Sequence, residues 1–77
     1  MKWQDRIGIN PNVCHGRPCI KGTRVMVSVL LANLGEGETY EAIMKGYHVG
    51  AEDIQAAILF AADLADDQHI PIEQGAA

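Results

Sequence analysis

The part of the chain after residue 26 carries apolar residues at helical spacing in three separate segments. Val27, Leu30, Leu31 and Leu34 fall at positions i, i+3, i+4 and i+7, which form the apolar face of an amphipathic helix. Comparable stripes, divided by glycine-containing breaks, predict helices over residues 27–35, 39–47 and 51–66. Gly35 is expected to end the first of these helices.

The third predicted helix has a wider apolar face than one small core needs. Its core stripe is expected to consist of Ile54, Ala57, Ile58, Ala61 and Ala65. Further apolar residues lie beside that stripe or in the segment after it, and they form a candidate interface with a partner or a second copy: Leu59, Phe60, Leu64, Ile70 and Ile72. The alternative is that a small soluble protein simply exposes some leucine.

Residues 6–26 lack a helical period and predict an arm of short strands. Residues 6–9 alternate polar and apolar side chains, and the turn-forming residues 10–12 follow them. Gly16, Pro18 and Gly22 interrupt the remainder, which favours two more short strands near residues 19–20 and 24–25. We therefore predict an α+β fold that is mostly α. A β-hairpin-like arm precedes a three-helix bundle with helix-turn-helix character in a single domain of residues 1–67, and residues 68–77 form a flexible tail.

Length and composition narrow the class of protein. A chain of 77 residues has room for one small core, so self-association, with a homodimer as the simplest case, is expected. No apolar run is long enough to span a membrane, which favours a cytoplasmic protein. Cys14 and Cys19 are too few to staple a secreted domain and are expected to be reduced. Together with His15 they could ligate a metal, but a structural zinc needs four ligands, so neither metal nor cofactor is expected.

Charge is distributed unevenly along the chain. The net charge is −4, yet residues 1–24 hold five basic residues against one acid, and residues 25–77 hold one basic residue against nine acids. Such asymmetry indicates either a polyanion-binding arm or a basic head that rests on the acidic body of another copy. Because the third helix has no lysine or arginine, any contacts to nucleic acid are assigned to the arm, at Arg6, Arg17, Lys21 and Arg24.

Motifs typical of enzymes are missing from the sequence. There is no phosphate-binding glycine loop, nucleophile elbow or histidine pair at metal spacing. Cys14 beside His15 could in principle form a thiolate–imidazole pair, but adjacent side chains of an extended backbone point to opposite sides. We therefore predict a protein without enzymatic activity.

Two runs in the arm resemble a known bacterial family. They are Cys-His-Gly-Arg-Pro at residues 14–18 and Lys-Gly-Thr-Arg at residues 21–24, and they are accompanied by Glu-Ala-Ile at 41–43 and Glu-Asp-Ile-Gln-Ala-Ala at 52–57. This pattern is similar to the domain of unknown function 433 family over residues 6–65. Within the motif, Gly16, Pro18, Gly22 and Thr23 are assigned a structural role in a tight hairpin.

The resemblance implies more about function than composition does. The family is grouped with helix-turn-helix domains, and some members are described as VapB-type antitoxins that pair with a PIN-type toxin. It thus implies an antitoxin-like regulator of a toxin–antitoxin system, with operator DNA as a second ligand. The competing hypothesis is a dimerisation or protein-interaction module that does not bind nucleic acid, which the acidic body favours.

Overall fold

The structure is a computed structural model that describes residues 1–67. It confirms the predicted fold class, because a two-stranded antiparallel sheet precedes three helices. The elements in chain order are a 3-10 helix at Trp3–Asp5, strand β1 (Ile7–Gly8), a 3-10 turn at Cys14–Gly16, strand β2 (Cys19–Ile20), and helices α1 (Val27–Gly35), α2 (Tyr40–Tyr47) and α3 (Ala51–Asp67). Ile70, Ile72 and the predicted tail fall outside the described residues.

The arm is built around strand β2. In the antiparallel pair Ile7 lies opposite Ile20, and Gly8 lies opposite Cys19. The third predicted strand is reduced to one bridge, between Cys19 and Met26, with a hydrogen bond of 2.9 Å from the Ile20 N–H to the Val25 carbonyl. Residues 24–26 therefore run alongside β2 toward helix α1 without forming a third strand.

Helix α1 ends at Gly35, as predicted, but the left-handed residue that follows it comes two positions later. Gly35 is still helical, and the residue with left-handed backbone is Gly37, at φ +90°. The N–H groups of Gly37 and Glu38 then bond to the carbonyls of Leu34 and Asn33, both at 3.0 Å. Gly35 is the last residue of the helix, as predicted, but of the two glycines in this segment it is Gly37 that adopts the left-handed closing conformation.

The core lies between the helices and the inner side of the arm. Val27, Leu30, Ile43 and Ile54 are each less than 2% exposed. Helix α3 contributes Ala56 as well as Ala57, whereas two residues predicted for its core stripe, Ile58 and Ala65, are exposed. The stripe was misplaced because the N-terminal 3-10 helix also packs on α3, on the side of Phe60.

Trp3 makes the contact that places Phe60 on the packed side of α3. Its ring contacts Phe60 edge to face, with 4.9 Å between ring centroids, and its indole N–H donates a hydrogen bond to the Asp63 carboxylate. The first residues of the chain are thereby tied to the last third of α3. Among residues 1–67 there is no helix with the length and apolar character that crossing a membrane requires.

Candidate interaction surfaces

Arg6 joins the arm to the start of helix α3. Its guanidinium contacts Asp53 at 3.0 Å and Glu52 at 3.2 Å. The second oxygen of Asp53 accepts a hydrogen bond of 2.9 Å from the Gly50 N–H, so the same carboxylate caps α3. The hydrogen bond with Asp53 raises the pKa of Arg6. Arg6 is thus a structural residue, with its charge already compensated.

The other three cations predicted to bind nucleic acid are not equivalent. The Lys21 ammonium donates a hydrogen bond of 2.9 Å to the Gln4 carbonyl. Arg17 and Arg24 are exposed, and within residues 1–67 neither forms an ion pair. Within residues 1–67, three of the four predicted cations therefore have no charged partner, and Arg17 and Arg24 are the two whose side chains also make no hydrogen bond.

The loop between the two cysteines has an unusual backbone. Cys14, His15 and Gly16 have φ values of 52°, 56° and 78°, three consecutive left-handed residues. They turn the chain back so that Cys14 and Cys19 are joined by a disulfide. The predictions of reduced thiols and of extended backbone at Cys14 and His15 were wrong for this structure, because the left-handed turn is not visible as a residue pattern.

The motif residues assigned to structure are placed in turns. Gly16 and Gly22 both have a φ of +78°, a conformation that side chains rarely adopt. The Thr23 hydroxyl donates to the Ile20 carbonyl at 2.7 Å and accepts from the Val25 N–H at 3.0 Å. The Pro18 carbonyl accepts the Val27 N–H at 3.0 Å, which positions the first residue of α1. All four therefore shape the arm.

An uncharged and mostly apolar stripe, here called the outer stripe, runs along the face of α3 that is turned away from the core. Successive residues of an α-helix are rotated by about 100° about its axis, and Ala62 lies on the side of α3 opposite the centre of the buried face. Ile58 is 39% exposed and Leu59 is 40% exposed. The outer stripe consists of Gln55, Ile58, Leu59 and Ala62, all of them exposed and uncharged, and the same face becomes charged one turn later, at Asp66. A helix in a monomer normally has charged residues on this face.

The three predicted interface residues on α3 lie in three different environments. Leu59 belongs to the outer stripe, whereas Phe60 is half-buried against Trp3 and belongs to the fold. Leu64 lies at a helical position on the core side of α3, one turn after Phe60, but it is 45% exposed. Sequence analysis missed Gln55 and Ala62, although their spacing from Leu59 would have placed them on the same face.

A second surface is an open cleft in the arm, with a volume of about 680 Å³. It was not predicted from the sequence. Its walls include residues of the Lys-Gly-Thr-Arg run, and the buried residues Cys19 and Ile20 form part of its lining. The full lining is Gly8, Ile9, Asn10, Val13, Cys19, Ile20, Lys21, Gly22, Thr23 and Arg24. Within residues 1–67, no three histidine, cysteine or acidic residues are grouped as a metal site would require.

Comparisons with known proteins agree with this small arm-and-helix fold. The family model described as protein of unknown function (DUF433) matches residues 7–61, and the chain belongs to this family. A similar solved structure is that of a DUF433 member protein from Anabaena variabilis, with 31% sequence identity and a TM-score of 0.74. The similarity covers 83% of this chain and 64% of that protein, so this chain corresponds to less than two thirds of it. No curated protein matches.

Proposed function

We propose that this protein is a non-enzymatic, antitoxin-like regulator that binds a partner protein through the outer stripe of α3. The observation that carries the proposal is the uncharged, exposed surface formed by Gln55, Ile58, Leu59 and Ala62. Exposed apolar side chains at successive helical turns are typical of a helix face that packs on another protein. A PIN-type toxin is the partner that the family resemblance suggests.

Two features of the outer stripe support a protein partner over nucleic acid. Ala62 near its centre allows another backbone to approach closely. The acids in the last turn of α3, Asp66 and Asp67, would repel phosphate along this helix. The packing of α2 against α3 would therefore serve to present the outer stripe, and would not place α3 in a DNA groove.

Affinity capture of the tagged chain from its native host, at native expression, tests this proposal. A small nuclease-like protein recovered at near-equal amounts supports it when Leu59→Glu abolishes the recovery and Ala42→Glu, an exposed change on α2, does not. Recovery of the chain alone as a dimer that Leu59→Glu disrupts would favour the dimerisation module instead. A monomer with no bound protein would contradict both.

Operator DNA is the second candidate ligand, and the exposed, unpaired Arg17 and Arg24 favour it. Binding through the arm should weaken with increasing salt, because phosphate contacts release counterions. Arg17→Ala or Arg24→Ala should each lower the affinity and also reduce its salt dependence, because each removes a phosphate contact. Arg6→Ala should instead destabilise the fold. An affinity for DNA that does not change with salt would exclude this role of the arm.

A further inference from the structure

The cleft in the arm belongs to none of the functions proposed so far, and its lining has a distinct chemistry. Ile9, Val13 and Ile20 supply apolar surface, and Ile9 is 63% exposed. Lys21 and Arg24 supply two positive charges, and no acidic residue lines the cleft. The cleft lining is therefore positively charged, although the chain as a whole has a net charge of −4. The cleft therefore complements a ligand that combines apolar and negatively charged groups.

Backbone geometry adds a second property to the cleft. Ile9 follows β1, and within residues 1–67 its N–H and carbonyl are not hydrogen-bonded to another backbone group. Gly8 and Gly22 also line the cleft without side chains, so main-chain atoms are accessible there. Open backbone groups beside a short strand are the feature that extended peptides use when they add to a sheet.

We propose that this cleft binds an extended acidic peptide segment of a partner protein. Apolar side chains of the peptide cover Ile9 and Val13, its carboxylates pair with Arg24 and Lys21, and its backbone bonds to Ile9. A volume of about 680 Å³ lies within the range of about 300–1,000 Å³ that is usual for ligand sites. Nucleic acid fits less well, because Arg17 lies outside the cleft lining and Arg6 is already paired with Asp53.

The test uses the full chain, labelled with ¹⁵N, and the peptide acetyl-Glu-Val-Glu-Val-Glu-amide as the probe. Amide chemical shifts should change at residues 8–10 and 22–24, and a peptide with lysine in place of glutamate should leave them unchanged. Arg24→Gln should weaken binding about threefold, since an exposed ion pair contributes modestly. Arg17→Gln is the matched control, because it removes an exposed cation of the same motif from outside the cleft, and it should leave the Kd unchanged.

Three outcomes would overturn the proposal. They are the absence of shift changes in the arm, an equal loss of affinity in Arg17→Gln and Arg24→Gln, and tighter binding of a short DNA duplex at the same amides. Ile9→Asp provides a second variant whose side chain is exposed, so folding should persist while the peptide is repelled. Leu59→Glu should not affect peptide binding, which separates failure of this site from failure of the outer stripe.

Discussion

The arm (residues 6–26) and the helical body (residues 27–67) are stabilised by different means. All four of the large side chains that are less than 2% exposed belong to the body: Val27, Leu30, Ile43 and Ile54. The arm buries only Ile7, Cys19 and Ile20, yet it contains four of the six residues that have positive φ within residues 1–67. The body thus depends on apolar burial, whereas the arm depends on particular backbone conformations and on its ion pair with α3.

The body should therefore be most sensitive to loss of volume in its centre. Leu30→Ala removes a side chain that is fully buried, and it should lower the free energy of unfolding by about 2–5 kcal/mol. Urea denaturation followed by circular dichroism measures this change. Val29→Ala, on a half-buried neighbour, is the control and should cost clearly less. Equal losses would mean that Leu30 is not at the centre of the core.

The attachment of the arm to the body should depend on one carboxylate more than on its neighbour. Asp53→Ala removes both the cap of α3 and the pair with Arg6, and it should cost about 1–2 kcal/mol of unfolding free energy. The Asp53 side chain is 16% exposed and that of Glu52 is 63% exposed. Glu52→Ala, as the control, should cost less than about 0.5 kcal/mol. Similar losses in the two variants would argue against Asp53 as the joint.

The same substitution should have opposite effects in the two regions. Gly22→Ala in the arm imposes a side chain on a backbone with φ +78° and should destabilise the protein by about 1 kcal/mol. Gly46→Ala within α2 has open space around the new methyl group, and it should stabilise by about 0.5–1 kcal/mol because alanine favours helix. Thermal unfolding of both variants measures the difference. Two changes of the same sign would contradict this contrast.

The two regions also differ in how far the sequence predicted them. Helix α1 has the predicted bounds 27–35, because a period of 3.6 residues is a local and repeated signal. The disulfide and the left-handed residues of the arm left no such signal. The inward side of α3 was predicted in part: Ile54 and Ala57 are buried, whereas Ile58 and Ala65 are exposed. The packing of Phe60 on Trp3 could not be predicted, because Trp3 lies far away in sequence and the contact is a tertiary effect.

The candidate surfaces show the same limit. The exposure of Leu59 was anticipated as a surplus of apolar residues, and helical geometry supplies Gln55 and Ala62 once the buried face is known. The cleft could not be predicted, because it forms where Ile9 and Arg24, fifteen positions apart, line one space. Charge counting likewise could not separate Arg6, which is paired with Asp53, from Arg24, which is not.

The smallest expected effect on stability concerns the outer stripe, because its apolar side chains are exposed and do not contribute to the core. Leu59→Gln shortens the apolar surface of α3 but removes no core contact, so the free energy of unfolding should change by less than about 0.5 kcal/mol. Urea denaturation checks this, with Phe60→Gln as the control. Because Phe60 packs on Trp3, its replacement should cost several times more. A large loss in Leu59→Gln would show that the outer stripe serves folding, and its exposed apolar residues would no longer argue for a partner.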